Sequence, residues 1–465
     1  MKVHTFQIFS PKVVFFLFLL PLPLLAQWQP DVRLTFNDSI SRTPCVAVDS
    51  SETVITAWSD DRSGGRNHAD IFCKRSTDSG MSWSPDTNLT FTSSDSRFPG
   101  LAASGSTFHL VWQEKGTPNW EIHYKRSTDE GASWSPDTTL SEVTSDSAGS
   151  WNPTVATWGQ TVHVAWADGR GGGGAPPDIF YKRSLDGGAS WGPDTRLTFA
   201  SGFSANPSIT VSGDTVHLAW ADDRTGNDNI FYKRSTNQGG TWSTDTNLTN
   251  LLSYGTNPAI SASGSLVHLA WVNDGQDVFY KRSWDNGNHW TPGTRLAAGT
   301  GAFPSISASG SNVHIAWVDD RDGNFEIYYR RNSELLVRLT NDTASSMTPA
   351  VCAWGPMVHV VWADHRDGND EIYYKRNPTG NVGVETPVGR LDGLTVGWLK
   401  ITPNPFVAFA TVPGQEGDWF EMYNVAGRKV GTYRGERIGF DVPPGVYFLR
   451  AAGKTSPPVR VVKVR

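Results

Sequence analysis

The feature that most constrains this chain is a tryptophan that closes a short apolar run and then keeps returning. The runs read Thr53 to Trp58 (TVITAW), Val162 to Trp166 (VHVAW), Val216 to Trp220 (VHLAW) and Val313 to Trp317 (VHIAW). The series is Trp58, Trp112, Trp166, Trp220, Trp271, Trp317 and Trp362, at spacings of 54, 54, 54, 51, 46 and 45 residues. Seven copies at this period fit four-stranded propeller blades, since a unit this small cannot bury its faces alone and must stack on its neighbours. The fourth copy is the clearest. Pro207 opens a first strand and Thr215 to Trp220 forms a second. A polar loop follows through Asp222, Asp223, Arg224, Gly226 and Asn227. Ile230 to Arg234 makes a third strand, and a fourth lies near Thr246 to Thr249. In the second strand of the third copy, Val162, Val164 and Trp166 alternate with His163 and Ala165, and both faces suit burial between sheets.

The seventh copy ends near Arg376 without a fourth strand. Near the start, Val32-Arg33-Leu34-Thr35 matches Thr195-Arg196-Leu197-Thr198 and Val337-Arg338-Leu339-Thr340. Residues 31–36 are therefore expected to complete the last blade, closing a ring that would otherwise have open strand edges.

With 465 residues the chain exceeds one ordinary core. Its formal net charge of -6, with no basic block, argues against a nucleic-acid partner. Residues 1–26 read as a signal peptide: Lys2 and Lys12 precede an apolar run from Val13 to Leu25, and Ala26 offers a cleavage site before Gln27. No second stretch has membrane length, so the chain is not expected to span a membrane after cleavage. The three cysteines, Cys45, Cys73 and Cys352, make no disulfide framework and are expected as buried free thiols, with a Cys45–Cys352 bridge as the other arrangement.

Five copies carry Ser-x-Asp-x-Gly-x-x-Trp between the third and fourth strands: Ser76 to Trp83, Ser127 to Trp134, Ser184 to Trp191, Ser235 to Trp242 and Ser283 to Trp290. Asp78, Asp129, Asp186 and Asp285 hold the acidic slot, and the fourth copy replaces the aspartate with Asn237. A side chain there accepts backbone N–H groups of its own turn, the glycine tolerates positive φ, and the tryptophan plugs the blade edge. On these motifs, residues 31–377 resemble the Asp-box (BNR) propellers of the sialidase superfamily, whose best-known members have six blades where this chain has seven. The resemblance implies that the boxes are structural and lie opposite the catalytic face.

It also implies what a catalytic face would need: an arginine triad, a tyrosine nucleophile paired with glutamate, and an aspartate acid/base. Blade one is similar through Ser41-Arg42-Thr43-Pro44, Ser59-Asp60-Asp61-Arg62 and Asp70, so Arg42, Arg62 and Asp70 are the catalytic candidates. The repeat itself offers another account of these residues. The Asp-Arg loop returns as Asp168-Gly169-Arg170, Asp222-Asp223-Arg224, Asp319-Asp320-Arg321 and Asp364-His365-Arg366. An acid at the Asp70 position returns as Glu121, Asp178, Asp277, Glu326 and Glu371. Such loops are expected as exposed ion pairs worth about 0–1 kcal/mol each. No later tyrosine and glutamate stand outside the repeat to complete a two-group mechanism. The same face offers binding candidates at the loops that open the blades: Arg42, Arg97, Trp151, Asn152, Asn206, Tyr254, Asn257 and Phe303, a mixture suited to a glycan or a peptide. Six histidines, His109, His163, His217, His268, His314 and His359, share one second-strand slot and cannot converge on a metal. No metal or cofactor is expected.

After Arg376 the repeat stops. Residues 378–397 read as a linker, and residues 398–465 as a small β-sandwich with strands at Trp419 to Val425, Lys429 to Tyr433 and Gly445 to Ala451. Pro403-Asn404-Pro405, Asn424 to Gly427, Pro444-Gly445-Val446-Tyr447 and the basic ending resemble the type A C-terminal sorting domain of the type IX secretion system. That resemblance implies secretion machinery as a partner. The expectation is an all-β chain: a seven-bladed propeller over residues 27–377 and a C-terminal sandwich, secreted or held at the cell surface. It is expected to bind an extracellular glycan or polymer without catalysis, the alternative being an exo-sialidase or related glycoside hydrolase.

Overall fold

A computed structural model describes residues 28–63, 68–116, 119–141, 149–170, 176–199, 201–249, 254–273, 277–297, 300–332, 334, 336–379, 419–424, 428–434, 437–439, 441–452 and 459–463. The chain divides into two compact units, Met1–Glu385 and Thr386–Arg465.

Among its described residues the first unit forms seven sheets of four antiparallel strands. Blades one to six occupy residues 41–88, 96–139, 150–196, 204–247, 255–297 and 302–338, each with its strands paired in chain order. The first strands, from Ser41–Val48 round to Ser346–Trp354, pack successively against one another, and the last returns to the first, so the stack is a closed ring. Second strands are sandwiched between neighbouring blades, and Thr161–Asp168 and Thr215–Asp222 are buried at every residue. This is why their sequences are apolar on both faces.

Blade seven joins Ser346–Trp354, Met357–Asp364 and Glu371–Asn377 to the N-terminal strand Val32–Arg33, with Val32 opposite Tyr374 and Arg33 opposite Tyr373. The clasp is longer than residues 31–36. Trp28 packs edge-on to Tyr329 at 4.8 Å, and Asp31 takes Arg366 at 3.0 Å and Lys375 at 2.9 Å. In blade three, Asp194 takes Arg170 at 2.7 Å and Lys182 at 2.9 Å. Residues 28–35 thus reproduce the whole run from Trp191 to Thr198, tryptophan included, and supply blade seven with the plug that its own third strand does not lead into.

The histidine slot has a specific partner. In six blades the ring Nδ1 meets the hydroxyl of a third-strand tyrosine: His109–Tyr124, His163–Tyr181, His217–Tyr232, His268–Tyr280, His314–Tyr329 and His359–Tyr374, at 2.6–2.8 Å. The next blade's box closes over several of these tyrosines. Trp83 packs edge-on to Tyr374, Trp191 to Tyr124, Trp242 to Tyr181 and Trp290 to Tyr232. The box glycine is required here for space as well as φ: a Cβ on Gly239 (φ +77°) would lie 1.8 Å from the Tyr181 hydroxyl. Blade one departs from the pattern, with Ile55 and Cys73 in place of the histidine and tyrosine.

All three cysteines are free thiols. Burial pushes Cys73 up to about 12 and Cys352 up to about 11.

Among its described residues the second unit contains one four-stranded antiparallel sheet, ordered Lys429–Arg434, Trp419–Asn424, Gly445–Ala451, Val459–Lys463. Phe420, Met422, Tyr433, Ile438, Val442, Tyr447 and Leu449 form its core. The signal-peptide reading of residues 1–26, the linker beyond residue 379, Pro403-Asn404-Pro405 and the turn at Ala426-Gly427 lie outside the described residues. Among the described residues, no helix is long and apolar enough to cross a membrane.

Candidate functional site

Antiparallel strand order puts the starts of the first strands, the loops after the second strands and the ends of the fourth strands on one face of the ring. The boxes lie on the other. There Asp78 Oδ1 accepts the Ser76 hydroxyl and the N–H groups of Met81 and Ser82, while Gly80 N–H donates to Ser76 Oγ. The Ser82 hydroxyl first, then these turn bonds, hold the Asp78 carboxyl down to about 2. Asp129, Asp186, Asn237 and Asp285 each accept the N–H four residues on in the same way.

On the opposite face the Asp-Arg loops are not the exposed pairs expected. Asp60, Asp168, Asp222, Asp319 and Asp364 are buried, and each accepts the indole N–H of the tryptophan two residues before it. Arg62 closes on Asp60 through its backbone N–H (3.0 Å), Nε (2.8 Å) and Nη2 (2.6 Å), reaches Asp86 through Nη1, and lies 4.3 Å over Phe72. The same bracket, with its aromatic, holds Arg170, Arg224, Arg321 and Arg366. Burial works against the charge on Asp60, but Arg62 and Trp58 prevail and its carboxyl is lowered. A buried acid fully bonded by tryptophan, serine and arginine fixes loop shape, and removing one partner would leave the others unpaired. The brackets are a repeated internal fastening at the mouth of the ring.

Arg62 is therefore spent on Asp60 and Asp86. Asp70 is buried and accepts Asn88 Nδ2 at 2.9 Å and the Thr90 hydroxyl at 3.0 Å, the same bond that joins Thr198 to Asp178 in blade three. Arg42 points elsewhere, to Asp61 at 3.5 Å, and Arg97 approaches the other oxygen of Asp61 at 3.8 Å while bonding Asp95 at 2.8 Å. Burial raises the Asp61 carboxyl, and Arg42 and Arg97 oppose the rise. Among the described residues this cluster is found on blades one and two alone: Gly169, Asp223, Asp320 and His365 stand at the Asp61 position in other blades, and none of them is paired with two arginines. Sequence reading missed Asp61 because it sits inside a loop motif that recurs.

The binding candidates fall round the same mouth. Every first strand carries a β-bulge at its proline, from Arg42/Cys45 in blade one to Met347/Ala350 in blade seven. The residue before each proline, namely Thr43, Phe98, Asn152, Asn206, Asn257, Phe303 and Thr348, has φ between 47° and 54°. Phe98 and Phe303 are 46% and 42% exposed. The three asparagines form a chain across blades: Asn152 Nδ2 donates to Asn206 Oδ1 at 2.6 Å, and Asn206 Nδ2 to Asn257 Oδ1 at 3.4 Å. Trp151 is half-buried with its ring against Gly149 and Gly169, so it packs the rim, while Tyr254 is exposed. Among the described residues, no group of three or more His, Cys, Asp or Glu side chains converges as a metal site.

No family model matches the sequence, and no curated protein matches it. Similar solved structures include a protein of unknown function from Dyadobacter fermentans, at 15% identity and TM-score 0.48, covering 76% of this chain and 99% of that one. Trypanosoma rangeli sialidase is similar at 12% identity and TM-score 0.45, with 75% of this chain covered; the match spans 59% of the sialidase. The intramolecular trans-sialidase from Ruminococcus gnavus is similar at 11% identity and TM-score 0.45, over 74% of this chain and 96% of that one. At these levels the propeller assignment rests on the blades of this chain themselves: seven closed four-stranded sheets with a shared first-strand ring.

Proposed function

We propose that the propeller is a secreted or cell-surface protein that holds an extracellular glycan or polymer at its mouth without turning it over. One observation carries this reading. The three residues that would begin a sialidase site do not share a substrate position: Arg62 is consumed by Asp60 and Asp86, Asp70 by Asn88 and Thr90, and Arg42 is drawn to Asp61. What the mouth does offer is amides, exposed aromatics and a bulged backbone, the chemistry of binding.

The Arg42–Asp61–Arg97 cluster favours the second reading, a glycoside hydrolase, because a buried carboxyl of raised pKa beside two arginines suits an acid. A fluorogenic sialoside assay on residues 27–377 separates the two. The binding reading expects no turnover; turnover that disappears in Arg42→Ala and Asp61→Asn would establish the enzyme. Export through the C-terminal domain is part of the same proposal, supported by the sorting-domain resemblance. Residues 385–465 fused to a periplasmic reporter in a type IX-competent host should carry it to the medium or surface, and a reporter retained in the periplasm refutes that part.

A further inference from the structure

The residues before the blade-opening prolines follow an order of their own. Round the ring they run Thr, Phe, Asn, Asn, Asn, Phe, Thr, symmetrical about Asn206 of blade four. All of them occupy the left-handed region, which asparagine tolerates and which phenylalanine and β-branched threonine adopt only at a conformational cost. Were the position purely structural, asparagine or glycine would serve in every blade. Keeping half-exposed Phe98 and Phe303 there, on opposite sides of the mouth, is not explained by strand geometry.

The amide arc between them is open at both ends. Among the described residues, Oδ1 of Asn152 and Nδ2 of Asn257 have no hydrogen-bond partner, while the inner link from Asn206 to Asn257 is long, at 3.4 Å. An amide presents one donor and one acceptor side by side, which matches a pair of vicinal hydroxyls. The arc is also uncharged. Trp151, Ala205 and Thr256 precede its members, Asp223 and Asp320 cap the N–H groups of Phe203 and Thr300, and Arg42 and Arg97 are turned onto Asp61 and Asp95.

Resting on the glycan-binding reading above, we infer that the mouth takes a neutral pyranose chain. Asn152, Asn206 and Asn257 engage its hydroxyls, and Phe98 and Phe303 stack on the C–H faces of flanking sugars. An acidic sugar would share Arg42 and Arg97 with the carboxylates of Asp61 and Asp95.

Calorimetric titration of the full chain tests this with hexamers of β-1,4-linked glucose and N-acetylglucosamine as neutral probes, and an α-2,8-linked sialic acid hexamer as the anionic probe. A neutral hexamer should bind. Asn206→Gly and Phe303→Asn should each weaken it at least tenfold, and both replacements accept positive φ, so an unchanged melting temperature shows that the fold is intact. Neutral binding that neither variant weakens would overturn the inference. Binding of the anionic probe alone, lost in Arg42→Ala, would also overturn it while leaving the glycan reading in place. If no probe binds, both fall together.

Discussion

At the scale of single residues, the six histidine–tyrosine pairs carry the clearest consequence. Burial first, then a neighbouring arginine, lowers His109, His163, His268 and His314 to about 4 and His217 and His359 to about 3. In the unfolded chain these rings take up a proton near pH 6.5. Between those values the unfolded state binds more protons, so the stability contributed by the neutral pairs is complete above about pH 6.5 and is lost as pH falls toward 4. The box carboxylates act lower: Asp78, Asp129 and Asp285 are held near 2, and their contribution drains away only below the ordinary carboxylate range. The melting temperature should therefore be flat from pH 8 to 7, drop steadily from pH 6.5 to 4, and drop again below that. A melting temperature that is constant between pH 7 and 4.5 would contradict the buried neutral histidines.

At the scale of elements, the strand that closes the ring is the exposed point of the design. Val32–Arg33 makes only a two-residue ladder, but its neighbours add the Trp28 plug, buried Leu34, the Asp31 bridge to Arg366 and Lys375, and the Thr35 hydroxyl on Glu371. Deleting residues 27–38 removes all of these and strips the partner from Glu371–Asn377. The melting temperature should fall by more than about 10 °C, given several kcal/mol of lost burial and ion pairing. An unchanged transition in calorimetry would show that the ring does not depend on its clasp. Much of this element was legible in sequence, because Val32 to Thr35 repeats a pattern present in other blades. Trp28 was not, because the box that normally announces such a tryptophan is absent from blade seven. Likewise the histidine slot was visible as a periodicity, but its tyrosine partners lie on another strand, and only pairing in register brings the two together. At the mouth, the candidates Asn152, Asn206, Asn257 and Phe303 were readable as types and positions. Their shared positive φ was not, because threonine, phenylalanine and asparagine in one slot give no common signal for it. Arg62 and Asp70 read as catalytic when blade one is taken alone, and the return of the Asp-Arg loop in four other blades offered the fastening account in sequence; that these carboxylates are buried rather than exposed was not legible.

At the scale of the whole molecule, seven near-identical units create a large structural background, and function has to be sought where the units differ. Two such departures lie on one face: the Arg42–Asp61–Arg97 cluster on blades one and two, and the asparagine arc on blades three to five. The histidine–tyrosine pairs and the Asp-Arg brackets belong to the shared part and fasten strands within a blade, while the box tryptophans pack one blade on the tyrosine of the blade before it.

The clasp has a further consequence in time. Residues 28–35 leave the ribosome before every blade, and their partners at residues 371–377 come more than three hundred residues later. No partial chain can reach the native contact set, so the leading segment has to stay unpaired through synthesis of every blade. Contacts this distant in sequence are slow to form and leave strand edges open to association in the interval. Under the export proposed above, that delay would keep the chain threadable until its last blade has been made.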